Sequence, residues 1–190
     1  MISYQAAVQA IEESGRRALA RRESAGNDFT RVDLLDSVGC YLSEDLCSAE
    51  DVPGFTNSAM DGFVVSARST VGATRLAPIE FQVRGMIAAG DDPTKLPASE
   101  EGARPIAYEI MTGATVPTHL GANLLTDPAV VKVENVKTRV GDVITLSAPL
   151  QAWENVRQRG TDVLRGSRLL PQNNRIRPED LFTLAATGNA

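Results

Sequence analysis

The chain has 190 residues, of which 43% are hydrophobic and 23% charged, and its 19 basic and 24 acidic side chains give a net charge of −5. This length allows one or two globular domains. The acidic balance, without any basic block, argues against a nucleic-acid partner, and no apolar run is long enough to span a membrane. The N-terminus lacks the apolar segment of a signal peptide, so we expect a cytoplasmic protein.

Two residue types limit the chemistry that the chain can perform. Cys40 and Cys47 match no metal or redox motif, which favours free, buried thiols in a reducing compartment. His119 is the one histidine of the chain. Its setting, PTHLG, predicts an exposed loop rather than a metal ligand or a catalytic base.

The first fifty residues predict two helices and a strand. Apolar residues at helical spacing predict an amphipathic helix from residue 3 to about residue 22, with Ser3 as N-cap, and ESAGND should end it. VDLLDSVG predicts a second, short helix that ends at Gly39. CYLSEDLCS alternates in polarity, which predicts a strand.

From residue 51 the pattern is that of a β-rich domain. Short runs of β-forming residues alternate with proline and glycine, and they read GFVVSA, IEFQVRGMI, RPIAYEIM, AVVKVENVK and GDVITL. Lys132 and Glu134 alternate with valines, as in a half-buried strand. Several short strands with turn signals between them predict a small barrel-like or sandwich-like domain.

The last segment returns to helix. RPEDLFTLAATG predicts a helix with Pro178 in its first turn and Gly188 as its stop. We therefore predict an α+β protein with a discontinuous domain at residues 1–50 and 151–190. A β-rich domain at residues 51–150 would be inserted into it.

One short stretch, TNSAMDGFVV at residues 56–65, suggests chemistry. Asp61 and Gly62 lie between extended segments, where Asp-Gly is a strong signal for a type I′ hairpin turn. Asp61 therefore serves either to form a turn or to bind a charged group.

Four stretches in this order resemble the molybdopterin molybdenumtransferases, that is, the molybdenum insertases related to the gephyrin E domain. They are DVPGFTNSAMDGFVV, IMTGATVP, VVKVENV and ENVRQRGTDVLRG, and the similarity covers nearly the whole chain. Thr161 departs from the family, which usually has a glutamate at this position.

The resemblance implies a homodimeric enzyme of four domains that inserts molybdate into adenylylated molybdopterin with Mg²⁺. Domain I would be elongated, discontinuous and α/β, and a barrel-like domain II would be inserted into it. Domains III and IV would follow in cis, because LAATGNA stands near the expected start of domain III. The 190 residues alone are then expected to be inactive. The alternative is a non-catalytic dimerisation, scaffold or binding module of a gephyrin-like protein.

The resemblance also carries site residues over to this chain. Those implied in catalysis are Asp61, Thr112, Glu134 and Asp162. Those implied in cofactor binding are Ser58, Gly113 and Arg157. Asp61 and Asp162 would bind the metal, since Mg²⁺ prefers oxygen ligands and is usually held by one or two carboxylates plus substrate oxygens.

Simpler structural roles remain open for several of these residues. Asp61 would be a turn residue, and Thr112 with Gly113 would end a strand. Glu134 would lie on the solvated face of a strand. Arg157 and Arg159 would either face solvent or bind an anion.

Overall fold

The structure is a computed structural model that describes residues 3–24, 29–96, 104–120 and 123–189. The chain divides into two compact units. Unit 1 comprises residues 1–46, 170–185 and 190, and unit 2 comprises residues 47–169 and 186–189. Within the described residues the secondary structure is mostly strand, with two α-helices. The elongated, discontinuous α/β domain and its boundaries at residues 50 and 151 stay predictions.

The predicted N-terminal helix is confirmed as α1, Tyr4–Ser24. Its N-cap is also confirmed, because the backbone N–H of Ala6 donates to the Ser3 hydroxyl oxygen at 3.2 Å. The expected break at ESAGND falls largely on residues 25–28, which lie outside the described residues. The second predicted helix is a single 3₁₀ turn, Leu34–Ser37.

The strand predicted over CYLSEDLCS is wrong for most of its length. Only Leu46–Cys47 forms a strand. The earlier residues make single contacts instead: Tyr41 forms an isolated bridge with Arg175, and the Leu42 N–H donates to the carbonyl of Asn174 at 3.0 Å. Both cysteines are free, as expected, but they are exposed rather than buried.

The C-terminal helix, α2, is confirmed at Asp180–Ala186. Asp180 begins it, and its carboxylate accepts from the Arg177 N–H at 2.9 Å. Gly188 follows the helix with φ of 76°, as a C-terminal stop requires. None of the helices in the described ranges is both long enough and apolar enough to cross a bilayer.

Twelve short strands account for most of the regular structure in the described ranges. In chain order they are β1 (Leu46–Cys47), β2 (Asn57–Ser58), β3 (Gly62–Ser66), β4 (Ile79–Ile87), β5 (Ile106–Ile110), β6 (His119–Leu120), β7 (Asn123–Leu124), β8 (Pro128–Lys132), β9 (Thr138–Val140), β10 (Val143–Leu146), β11 (Val156–Arg157) and β12 (Arg168–Leu170).

Unit 2 is built on a six-stranded sheet in the order β8-β3-β5-β4-β10-β9. Neighbouring strands are antiparallel except for β4 and β5, which are parallel. Five of these strands lie where the β-rich runs predicted them. A two-stranded sheet of β2 and β11 lies in the same unit.

The six-stranded sheet has a buried hydrophobic cluster on each face. One cluster includes Phe63, Val65 and Ile144, with less than 2% of each residue exposed. The other includes Val64 and Tyr108, which are equally buried. Alternate residues of β3 thus enter two cores, so the strand that follows Asp61 is held on both sides.

The half-buried strand predicted for AVVKVENVK is wrong in its second half. Strand β8 is buried at its first four residues and ends at Lys132. The chain then forms a 3₁₀ turn, Val133–Asn135, so Lys132 and Glu134 do not alternate along one strand. The valines of β8 are buried on both faces because the sheet has a core on each side.

Candidate functional site

The Asp61 carboxylate is bound by both donors of Thr112. Its Oδ1 accepts from the backbone N–H of Thr112 at 2.7 Å and from the Thr112 hydroxyl at 2.9 Å. The backbone hydrogen bond has the larger effect and the hydroxyl bond the smaller one, and together they hold the pKa of Asp61 below its ordinary value. Its Oδ2 accepts no hydrogen bond from any described residue, and the residue is exposed. Asp61 therefore presents a full negative charge with one open oxygen.

The type I′ turn predicted at Asp61 and Gly62 is wrong. Neither residue has a positive φ, and Gly62 is already the first residue of β3. A Cβ at Gly62 would lie 1.9 Å from the carbonyl oxygen of Val131 in the neighbouring strand β8. The glycine is required by this close approach, not by a turn.

The real turn lies at Thr112 and Gly113. The N–H of Ala114 donates to the carbonyl of Met111 at 3.0 Å, and Gly113 has φ of 81°. A positive φ at the third residue alone is the geometry of a type II turn. This turn directs the Thr112 N–H and hydroxyl at Asp61, so neither donor is free to bind an oxyanion.

Strand β2 holds this turn in place. The N–H of Gly113 donates to the Ser58 carbonyl at 2.9 Å, and the N–H of Ser58 donates to the Ala114 carbonyl at 3.0 Å. Ser58 is 1% exposed, and its hydroxyl donates to the carbonyl of Met60 at 2.6 Å. Ser58 thus shapes the stretch that leads to Asp61 and does not present its hydroxyl to the surface.

Arg157 and Asp162 form an ion pair beside the same strand. Strand β11 pairs with β2 so that Arg157 lies opposite Asn57. The Arg157 guanidinium donates to Oδ2 of Asp162, and both side chains are roughly half exposed. Asp162 is therefore neutralised by a neighbouring cation, whereas Asp61 is not.

Glu134 lies in the 3₁₀ turn that follows β8 and is exposed. Its connection to the site is indirect, through the N–H of Val133, which donates to the Asp61 carbonyl at 3.2 Å. No described residue donates a hydrogen bond to the Glu134 carboxylate.

Asp51 binds the chain on both sides of Asp162, and the sequence did not single it out. It accepts from Arg159 Nε at 2.6 Å and from the Arg165 N–H at 2.7 Å. Asp51 opens the first of the four family-like stretches, and Arg159 lies in the fourth. The presence of both motifs was the only hint in the sequence that Asp51 and Arg159 are in contact. The two residues are 108 positions apart, so no local sequence pattern predicts their contact.

The residues fit a magnesium ion at one carboxylate rather than at two. No group of three or more His, Cys, Asp or Glu side chains within the described ranges is placed to hold a metal. Asp61 Oδ2 suits a single protein ligand to Mg²⁺, an ion that usually keeps several waters. Asp162 suits the ion less, because the Arg157 guanidinium lies against it.

A pocket of about 830 Å³ lies elsewhere in unit 2. Its lining includes Asp92, Thr94 and His119, but none of the seven site residues named from the sequence. His119 is exposed as predicted, yet it lies on the short strand β6 and not in a loop.

The structure places all seven residues in unit 2 and connects six of them through β2 or Asp61. They are Ser58, Asp61, Thr112, Gly113, Arg157 and Asp162. Glu134 is attached only through its neighbour.

Comparison with known proteins gives a consistent result. Residues 2–188 match a family described as the MoeA N-terminal region, domains I and II. The chain is 32% identical over 188 residues to the molybdopterin molybdenumtransferase of Synechococcus elongatus, covering 99% of this chain and 42% of that protein. The Bacillus subtilis protein of the same name is 32% identical and is covered over 39% of its length by 95% of this chain.

A solved structure agrees with these similarities. The crystal structure of a molybdopterin biosynthesis MoeA protein from Pyrococcus horikoshii OT3 superimposes with a TM-score of 0.68 at 31% identity. The match covers 84% of this chain and 38% of that one. The chain thus spans about two fifths of the relatives that it matches.

Proposed function

Because the chain belongs to the family of MoeA N-terminal regions, we propose that it is the domain I and II part of a molybdenum insertase. The full-length protein would insert molybdate into adenylylated molybdopterin during molybdenum cofactor biosynthesis. The observation that carries this proposal is the Asp61 carboxylate, which Thr112 fixes through two hydrogen bonds and which keeps one oxygen open.

Asp61 and Thr112 would act as one unit. The Thr112 donors keep Asp61 ionised and fix its orientation, because hydrogen bonds to the charged form favour that form. Molybdate and the nucleotide-bearing pterin are anionic and would be repelled by a bare carboxylate. Asp61 would hold Mg²⁺ through Oδ2, and the ion would supply the positive charge that lets these substrates approach.

Arg157 would bind the substrate from the other side of β2. Its guanidinium has five N–H donors, and Asp162 orients it while leaving others for phosphate or pterin oxygens. Gly113 has open space where a Cβ would lie, so a substrate would reach the backbone of the turn there. Ser58 would act by fixing the backbone that leads to Asp61. Glu134 would add a carboxylate at the edge of the site, next to Val133, whose N–H donates to the Asp61 carbonyl.

The remaining parts of the proposal concern assembly. A homodimer with domains III and IV in cis would supply the other side of the reacting centre. The 190 residues alone are therefore expected to be inactive, since electrostatic catalysis needs donors fixed around the developing charge. The protein would work in the cytoplasm.

The test compares two aspartates that are bound alike. Asp92 Oδ1 accepts from the Thr94 N–H at 3.0 Å and its hydroxyl at 2.7 Å, as Asp61 does from Thr112. Asp61→Asn and Asp92→Asn are made in the full-length protein, and cofactor formation from molybdate and adenylylated molybdopterin is measured beside thermal melting. We expect Asp61→Asn to slow insertion roughly 10²–10³-fold, the effect of losing one preorganised charge-stabilising group. Asp92→Asn should leave the rate near that of wild type.

The opposite result would show that the reaction takes place away from Asp61. A normal rate for Asp61→Asn with a slow rate for Asp92→Asn would place the reaction at the 830 Å³ pocket that Asp92 lines. A full-length protein that forms no cofactor at all would favour the non-catalytic assembly role.

A further inference from the structure

We propose that Asp51 is a positioning residue, which fixes the segment from Arg157 to Val163 so that the Arg157–Asp162 pair faces the substrate. This inference rests on the proposed function and adds a residue to its site. Both oxygens of Asp51 accept hydrogen bonds: Arg159 Nε donates to its Oδ2 at 2.6 Å and the Arg165 N–H donates to its Oδ1 at 2.7 Å.

The two donors lie on opposite sides of Asp162. Arg159 precedes it by three residues and Arg165 follows it by three, so one carboxylate holds the chain on both sides of Asp162. The side chain of Asp51 is only 16% exposed, while that of Arg159 is 63% exposed. The Arg165 N–H and the Arg159 guanidinium hold the pKa of Asp51 below its ordinary value, so the carboxylate is ionised at neutral pH.

The backbone beside Asp51 completes the attachment. Val52 and Val163 exchange hydrogen bonds at 2.7 and 3.1 Å, and the Asp162 N–H donates to the Val52 carbonyl at 2.9 Å. The Gly160 N–H donates to the carbonyl of Pro53 at 2.9 Å. These backbone bonds fix where the segment lies. The side chain of Asp51 adds bonds to Arg159 and Arg165, one on each side of Asp162.

Packing at Gly160 shows how closely the segment fits. This residue has φ of 72°, and a Cβ there would lie 2.7 Å from Leu164 Cδ2 and 3.5 Å from Asp51 Oδ1. The turn at Gly160 therefore lies beside the Asp51 carboxylate, and its left-handed backbone favours glycine. Since both oxygens of Asp51 are already bonded to protein donors, Asp51 acts through the segment and does not bind substrate.

The experiment is a double-mutant cycle in the full-length protein. Asp51→Asn, Asp162→Asn and the double variant are compared for the rate of molybdate insertion. If Asp51 works by placing Asp162 and Arg157, Asp51→Asn lowers the rate on its own by up to about 10²-fold, as the displacement of catalytic groups does. It has little further effect once Asp162 is already replaced. A purely structural loss would reduce the rate equally in both backgrounds.

Asp127→Asn is the matched control. Asp127 accepts from the Arg68 N–H at 2.7 Å, from Arg68 Nε at 3.3 Å and from the Ser66 hydroxyl at 2.8 Å, and its side chain is also 16% exposed. It contacts none of the proposed site residues. We expect it to lower the melting temperature about as much as Asp51→Asn does and to leave the insertion rate unchanged.

A second variant and a second measurement keep the test decisive. Arg159→Gln removes the ion pair but leaves the Arg165 N–H on Asp51, and it should lower the rate in the same direction. In the 190-residue chain, amide hydrogen exchange at Asp162 and Arg165 should be faster in Asp51→Asn than in Asp127→Asn.

Three results would overturn the proposal: equal rates for Asp51→Asn and Asp127→Asn, equal losses in both backgrounds of the cycle, or unchanged exchange at Asp162. A slow Asp61→Asn enzyme with a normal Asp51→Asn enzyme would refute the positioning role and leave the proposed function standing. A protein without any insertion activity would refute the function, and the exchange measurement would still decide whether Asp51 fixes the segment.

Discussion

Asp61 and Asp92 form the same pair of hydrogen bonds in two regions of unit 2. In each case one carboxylate oxygen accepts both the backbone N–H and the hydroxyl of a single threonine, Thr112 or Thr94. All four residues are exposed. The pKa of each aspartate lies below its ordinary value because of these bonds.

The two pairs differ in the length of chain that they connect. Asp92 and Thr94 are two residues apart, and the pair caps the 3₁₀ turn Pro93–Lys95. Asp61 and Thr112 are 51 residues apart. A local pair of this kind is a common cap that satisfies backbone donors at a helix start. The Asp61 pair instead joins the start of β3 to a separate turn.

A hydrogen-bond pattern alone therefore does not identify a functional carboxylate. Lys95 also lies near Asp92, with Nζ 3.7 Å from Oδ2, whereas Oδ2 of Asp61 has no partner among the described residues. The Asp61–Thr112 pair therefore leaves one ionised oxygen without a partner among the described residues, whereas both oxygens of Asp92 have a neighbouring donor or cation. Substitutions that act on one pair and spare the other test this distinction.

The largest effect is expected from Gly62→Ala, which should disrupt the pairing of β3 with β8 next to Asp61 and leave the Asp92 pair unchanged. The new Cβ would meet the Val131 carbonyl oxygen at 1.9 Å, so β3 and β8 would have to move apart. We expect a loss of about 3 kcal/mol in the free energy of unfolding, at the upper end for overpacking. Urea denaturation would measure it.

Gly90→Ala supplies the control near Asp92. Gly90 has open space around its Cβ position but φ of 93°, so alanine should cost only about 1 kcal/mol for the left-handed backbone. Equal losses for the two variants would contradict the close approach at Gly62.

A smaller effect is expected from Thr112→Val, which removes the hydroxyl and keeps the shape and the backbone N–H. Insertion by the full-length protein should fall about tenfold, since a hydrogen bond to a charged group is lost. Thr112→Ser should restore most of the rate, and Thr94→Val should not change it. The same rate for Thr112→Val and Thr94→Val would show that the hydroxyl of Thr112 does not hold Asp61 for catalysis.

The smallest effect is on stability as a function of pH, where the two aspartates should behave alike. A carboxylate whose pKa is lower in the folded chain stabilises the fold above its unfolded pKa and loses that contribution as the pH falls through the folded pKa. The stability difference between wild type and Asp61→Asn should thus be present at neutral pH and shrink below about pH 4.

Asp92→Asn should show the same trend, because Thr94 lowers the pKa of Asp92 in the same way. Urea midpoints for the three proteins at about pH 7 and about pH 3 would measure both differences. A difference that persists unchanged in acid would mean that the Thr112 bonds do not depend on the charge of Asp61.

Local patterns predicted the longer helices and strands of this fold but missed most of its strands of two or three residues. Helical spacing with Ser3 as cap predicted α1, and runs of β-branched residues predicted β3, β4, β5 and β10. The prediction failed where distant pairing overrides a local signal. Asp-Gly normally forms a turn, but Gly62 extends because the backbone of Val131 passes beside it.

The site was predicted unevenly for the same reason. The family resemblance identified Asp61, Thr112 and Asp162 as site residues. It did not predict that Arg157 forms an ion pair with Asp162, or that the N–H and the hydroxyl of Thr112 both donate to Asp61. Asp51 was missed, since its partners lie 108 and 114 residues away and nothing near it in the sequence marks them.

The contact between Asp51 and Arg159 also sets an order of events during synthesis. All six strands of the large sheet are complete by Leu146, whereas Arg159 and Arg165 come later in the chain. On the ribosome, the sheet can therefore form while Asp51 still lacks its partners, and the surface that carries Asp162 is finished only after Arg165 has emerged.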